Sequence, residues 1–216
     1  MKMNNRNKTY NIVLVTIVLI SLIGTVFIYN KLPDKVPSSW DMKGEVTAFQ
    51  HKLFVYFTAI LPLVMYGLLK FLPKVDPKRE SYVKHRKAYE TVVSVMIVFF
   101  ILMHWVTIVY SLGYDINVTA FIQILIGIMF LVMGNYMPQI RHNYFLGIKT
   151  PWTLASEAVW KKTHMVGGYI FFLIGLIFMI NGFIFTKASF YITIGFTLVS
   201  TIGLTVYSYL LYKKES

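Results

Sequence analysis

Six apolar runs, each close to the length of a membrane crossing, constrain the fold of this chain more than any other feature. A bilayer core of about 30 Å takes about 20 mostly apolar residues in a helix. The runs extend from about Asn11 to Tyr29, Leu53 to Leu72, Thr91 to Leu112, Val118 to Met133, Val166 to Phe185 and Phe190 to Tyr212. The fourth is the shortest and borrows residues from its polar ends. None alternates with the period of a strand, and a spanning segment must satisfy its own backbone hydrogen bonds. The expected fold is therefore all-α: a polytopic membrane protein with six transmembrane helices. Composition agrees, because only 14% of the 216 residues are charged, against about 25% in an ordinary soluble domain. The first run is read as a retained span rather than a signal peptide: it outlasts the usual apolar core and no small-residue cleavage site closes it.

The formal charge of +12 has to be read by side. With the N-terminus inside, fifteen of the 21 Lys and Arg residues fall on the N-terminal tail, the Pro73–Glu90 loop, the Gly134–Met165 loop and the C-terminal tail. Lys31, Lys35, Lys43, Lys52 and Lys187 fall outside, and Lys70 lies near the inner end of the second run. That bias follows the positive-inside rule, so both termini are expected in the cytoplasm. The basic excess then belongs to topology and to the lipid bilayer. No basic stripe with interleaved aromatics suggests direct nucleic-acid binding. The absence of cysteine excludes disulfides, thiolate metal sites and cysteine nucleophiles.

The expected organisation has three parts: a two-span unit at 1–72 with an extracellular loop at 30–52, a basic cytoplasmic loop at 73–90, and a four-span unit at 91–216 with a cytoplasmic motif loop at 134–165. The outer loop carries Pro33, Pro37, Trp40 and Gly44 and is long enough for a small structured element. The 73–90 segment reads as a solvated positive loop against lipid. The motif loop concentrates Asn135, Arg141, His142, Asn143, Gly147, Lys149, Thr150, Pro151, Trp152, Glu157, Trp160, Lys161, Lys162 and His164.

Two stretches carry a resemblance. GNYMPQIRHNYFLGIKTPWTL followed by SEAVWKKTH resembles the signature of the SdpI family of bacterial membrane proteins. LPDKVPSSWDMKGEVTAF resembles the N-terminal domain of unknown function that often accompanies it, with Ser39 standing where many relatives carry His. The resemblance covers most of the chain. It implies a multi-pass protein of the bacterial cytoplasmic membrane, acting in immunity against a secreted membrane-active peptide toxin. It also implies retention of a cytosolic winged-helix repressor at the membrane.

The residues themselves set bounds on the chemistry. Pro151 holds Thr150 extended, Gly147 permits close backbone approach, and Trp152 suits the membrane–water boundary. Ser156 or Thr153 is placed to cap a helix beginning near Glu157. Glu157, Trp160 and His164 share one helix face, but seven residues separate Glu157 from His164 by about 10.5 Å of rise, too far to share one metal ion. Glu157 is better matched with Lys161 as a surface ion pair. No metal or other cofactor is expected. His104 lies inside the third run, and Gln123 and Asn181 on other runs are its expected partners. Glycines at seven-residue spacing (Gly127, Gly134; Gly168, Gly175, Gly182) mark close helix packing, and Pro62 marks a kink. No nucleophile elbow, phosphate loop or His-Glu-x-x-His helix suggests an enzyme, so no catalytic residue is assigned. A binding and signalling membrane protein remains, and with what the resemblance implies the reading is an immunity and signalling membrane protein. In it the outer loop around Trp40 meets the peptide, and Arg141, Lys149, Trp152, Lys161 and Lys162 face a cytosolic partner. A small-solute transporter or a general envelope-maintenance protein stands as the alternative. A membrane enzyme with a cluster of Arg141, His142, Asn143 and Glu157 comes behind it.

Overall fold

The structure, a computed structural model, describes residues 5–184 and 186–215. Lys2 and the Phe185 end of the fifth run therefore lie outside the described residues, as do the side chains of Arg6 and Lys8. Among the described residues eight α-helices and one hairpin follow in order: α1 (Asn5–Ile28), β1 (Lys35–Trp40), β2 (Val46–His51), α2 (Phe54–Val75), α3 (Ser81–Lys84), α4 (Arg86–Ser111), α5 (Val118–Tyr136), α6 (Pro151–Ala155), α7 (Glu157–Phe183) and α8 (Lys187–Glu215). Six of them (α1, α2, α4, α5, α7 and α8) are long and apolar enough to cross a membrane. The helices outrun the apolar runs at their ends. Thus α7 begins at Glu157 rather than Val166, because Ser156 accepts a hydrogen bond from the Val159 N–H and caps it there. Hydropathy sees the part of a helix that lies in hydrocarbon, not the polar turns that finish it. Pro62 lies inside α2, which continues through it.

The chain forms two compact units, each assembled from two stretches. The first contains Met1–Leu68 and Met96–Thr119. Its hairpin pairs β1 and β2 antiparallel, with irregular register between Pro37 and Trp40. Asp41 closes the turn by accepting from the Lys43 and Glu45 N–H groups at 2.8 and 2.9 Å. Gly44 takes the positive φ of 85° that this turn requires. Val36 from β1 is fully buried with Leu32, Val55 and Ile108. Asp34 pairs with Lys52 at 3.0 Å, and this partner holds the Asp34 carboxyl below its ordinary range. Deeper in the unit, His104 lies 2.8 Å from the hydroxyls of both Thr25 and Thr58. Those threonines replace the expected partners Gln123 and Asn181. A threonine can bond its own helix and still offer its oxygen sideways, so helix-forming stretches hide such partners from a search for amides.

The second unit contains Leu69–Val95 and Ala120–Ser216. Here α5 and α7 run antiparallel with their glycines in register. A Cβ on Gly134 would lie 2.5 Å from the Phe172 nitrogen, and one on Gly175 2.6 Å from the Leu131 nitrogen. Gly182 meets Ala120 and Ile124 in the same way. The backbones touch along three turns of contact, as the seven-residue spacing of the glycines leads one to expect.

Candidate functional site

At one end of this unit a polar cap closes over the helices, built from the α2–α4 connection, the 137–156 segment and the first turns of α7. The connection is not a solvated loop. Asp76, Tyr82 and His85 are buried, while Lys74, Arg79, Lys84 and Lys87 face out together with Val75, Pro77, Glu80 and Val83. The reason is local chemistry: Asp76 opens an Asx turn by accepting from the Lys78 N–H at 2.7 Å, as an Asp-Pro sequence favours. Its other oxygen accepts from the Tyr82 hydroxyl at 2.8 Å and the Tyr144 N–H at 2.9 Å. The carboxylate thus fastens the connection to the motif loop. Burial, with Asp76 alongside, raises the Tyr82 hydroxyl above its ordinary value and keeps it a neutral donor. Tyr89 adds a further tie, donating its hydroxyl to the Leu69 carbonyl.

Asn143 organises the loop it sits in. Its side-chain oxygen accepts from the Phe145 and Leu146 N–H groups at 2.9 and 2.7 Å, and its amide donates to the Arg141 and Leu146 carbonyls. With no exposed surface, it has nothing left to offer a partner molecule. His85 accepts the Arg141 N–H at Nδ1, and burial drives its pKa down to about 4. His142 lies 2.7 Å from the Lys78 ammonium through its Nδ1; burial first, then that cation, lowers its pKa. Both rings are therefore neutral at pH 7, and each holds a buried Nε2 without a hydrogen-bond partner among the described residues.

Three rings stack at the centre. Trp160 is tilted by 30° against His142, 5.0 Å away, and stacked nearly parallel on His164, 3.9 Å away. The Trp160 indole donates to the Ile140 carbonyl at 2.9 Å. His164 Nε2 accepts the Ile148 N–H at 3.1 Å, so its proton lies on Nδ1, facing the Trp160 carbonyl at 2.9 Å. Gly147, at φ 119°, brings the chain so close to this ring that a Cβ would overlap Nε2. Next to the stack lies an apolar cavity of about 100 Å³ lined by Val92, Met133, Met137, Ile140, Leu146, Gly147 and Phe171.

The Thr-Pro-Trp-Thr segment becomes the short helix α6. Thr150 caps it in a reciprocal box with Thr153, and Pro151 takes the first helical position. Thr150 also meets Ser208 of α8 at 2.9 Å, and Trp152 packs its ring on Tyr209 at 5.1 Å. Lys162, not Lys161, makes the ion pair here, with Glu215 at 3.0 Å, and Ser156 donates to the same carboxylate. The sequence-selected residues therefore divide. Asn143, Thr150, Trp160 and His164 are buried scaffold, Gly147 and Trp152 are half-buried, and Asn135, Arg141, Lys149, Pro151, Glu157 and Lys161 are exposed. Among the described residues no three His, Asp or Glu side chains are grouped to hold a metal ion. On the hairpin, Pro33 and Gly44 sit at its base and tip, and Pro37 is buried. Trp40 is half-buried against Tyr110, its indole N–H buried, so Phe49 is the aromatic that faces out. Gln123 is buried with neither amide atom bonded among the described residues, and Asn181 donates to Thr193. Asp76, Lys78, Tyr82 and His85 were not singled out in the sequence; the Asp-Pro turn and the tyrosine among bases were their only signals.

Six membrane-crossing helices and a cap of buried polar residues define a multi-pass membrane protein. Residues 139–208, which run from the motif loop into α8, match the SdpI/YfhL protein family. Residues 16–66 match DUF1648, a domain of unknown function. Over 204 residues the chain is 27% identical to Immunity protein SdpI of Bacillus subtilis (strain 168), covering 94% of this chain and 96% of that protein. No solved structure matches the chain.

Proposed function

We propose that this chain is an immunity protein of the bacterial cytoplasmic membrane, protecting its cell against a membrane-active peptide and holding a cytosolic repressor at the membrane through the cap. The observation that carries this reading is the likeness to Immunity protein SdpI along nearly the whole of both chains, since an end-to-end match retains both the hairpin and the cap. The charge bias supports an orientation with the cap inside and the hairpin outside; in that orientation the hairpin with its exposed Phe49 meets the peptide and the cap serves as the output. The cap's architecture supports a docking role. Most of its polar interior is engaged in its own hydrogen bonds, and the exposed Arg141, Lys149, Pro151 and Lys161 with the half-buried Trp152 are the residues offered to a winged-helix repressor with an acidic contact face.

The test uses a sensitive bacterial strain expressing the chain and a fluorescent candidate repressor. Toxin challenge should leave cells carrying the chain viable and draw the repressor to the membrane. The Arg141→Ala/Lys149→Ala double variant should reduce recruitment about tenfold or more, as the loss of two charge-assisted contacts implies, while membrane level and survival persist. Survival no better than that of cells without the chain would remove the immunity reading. Undiminished recruitment by the double variant would remove the cap as docking surface.

A further inference from the structure

At the other end of the second unit, the end of α7 and the start of α8 enclose a crevice of about 290 Å³. Its walls are Ile177, Ile180, Ile184 and Ile192, and its polar lining is Asn181, Thr186, Ser189 and Thr193. The hydroxyls are already engaged. Ser189 donates to the Thr186 carbonyl at 2.8 Å and accepts the Thr186 N–H, while Thr186 accepts the Ser189 N–H in return. Thr193 donates to the Ser189 carbonyl at 2.8 Å.

That last bond fixes the orientation of Asn181. With its proton committed, the Thr193 oxygen can only accept, so the Asn181 atom facing it at 3.3 Å is the amide nitrogen. The amide oxygen is left with no partner among the described residues, buried on a side chain that lines the crevice and belongs to a residue only 3% exposed. A buried amide oxygen without a donor is costly in apolar surroundings. The crevice therefore calls for a ligand with an apolar body and a hydrogen-bond donor near its polar end. Ile180, Ile184 and Ile192 are each more than half exposed, so the apolar side of the crevice opens to hydrocarbon. Lys187, the first residue of α8, adds a cation beside Thr186; Thr186 takes up the Ser189 and Phe190 N–H groups, and the positive end of the helix favours an anion there.

We infer that this crevice binds an anionic phospholipid whose headgroup carries hydroxyl donors, with an acyl chain along the isoleucines, a headgroup hydroxyl on the Asn181 oxygen and the phosphate at Lys187 and the first turn of α8. This binding is independent of the immunity reading. It makes the α7–α8 end a lipid-selective site rather than a surface that any bilayer lipid covers.

The chain contains no cysteine, so a single bimane label on Ile180→Cys reports this crevice alone. Leu198→Cys, on the exposed part of α8, is the control. The full chain in vesicles of phosphatidylcholine is titrated with bromine-tailed phosphatidylglycerol or bromine-tailed phosphatidylcholine at equal mole fraction. At Ile180→Cys, phosphatidylglycerol should quench with roughly three- to tenfold preference, the scale of one basic contact and one hydrogen bond. At Leu198→Cys the two lipids should quench alike. Asn181→Leu, close in size without the acceptor, should erase most of the preference, and Lys187→Gln should lower it and remove its salt dependence. Equal quenching by both lipids at Ile180→Cys would overturn the site. A preference that survives Asn181→Leu would overturn the assigned contact, and the unchanged control label distinguishes both results from misfolding.

Discussion

Asn143 illustrates how the cap is specified: one side chain satisfies four backbone groups of its own loop, so the loop can be buried without orphaned amides. His85 and His142 work under a different condition, since each fits only while neutral. In the open cap their pKa returns towards about 6.5, whereas in the closed cap His85 stays near 4 and His142 is lowered. Between those limits the open form binds protons that the closed form refuses, so stability falls as pH falls and is fully present above about 7. Hydrogen exchange of the 141–146 amides, corrected for intrinsic rate, should show protection about tenfold lower at pH 5.5 than at pH 7.5, the linkage expected of one such histidine. His85→Asn keeps an acceptor for the Arg141 N–H without a titrating ring and should flatten this dependence. A slope of the opposite sign would mean that the rings are charged in the closed cap.

Among the elements, α5 and α7 owe their closeness to glycines where any side chain would meet backbone. Gly134→Val should lower thermal stability in detergent by about 1–3 kcal/mol, the usual cost of overpacking. Gly203→Val on α8, where a Cβ meets nothing within 4 Å, should cost little by comparison; equal losses would refute the packing role. This pairing was legible in the sequence because its period is local to each helix. So were the six spans, the Ser156 cap and the extended Thr150 before Pro151, which depend on neighbours a few residues away. The buried face of the α2–α4 connection was not legible. Asp76 and Asn143 are 67 positions apart, and a run rich in Lys and Arg looks solvated when only its composition is read. The hairpin was hidden in part for a similar reason: its strands are short and irregular, and what holds Val36 inside is Ile108, far along the chain. The split of the motif residues into scaffold and surface likewise needed three dimensions, because spacing puts Trp160 and Glu157 on one face without saying which of them is covered.

For the whole molecule, the arrangement of basic residues makes a testable statement about sidedness. Lys43 lies in the hairpin turn and Lys84 on the α2–α4 connection, both exposed, and the cysteine-free background makes each a clean reporter. With both termini inside, Lys43→Cys should react with a membrane-impermeant maleimide on intact cells, and Lys84→Cys only after permeabilisation. The reverse pattern would invert the orientation and move the cap outside. The glycine register has a mechanical consequence within the second unit. Two backbones seated against each other at three successive points have no room to slide or roll, so α5 and α7 make a fixed frame. By contrast α8 buries few of its side chains, Thr193, Leu204 and Ser208 among them, and meets the cap through the hydroxyl of Ser208 and the ring of Tyr209. A swing of α8 against that frame would be felt at Thr150 and Trp152, and at Ser156 and Lys162 through Glu215.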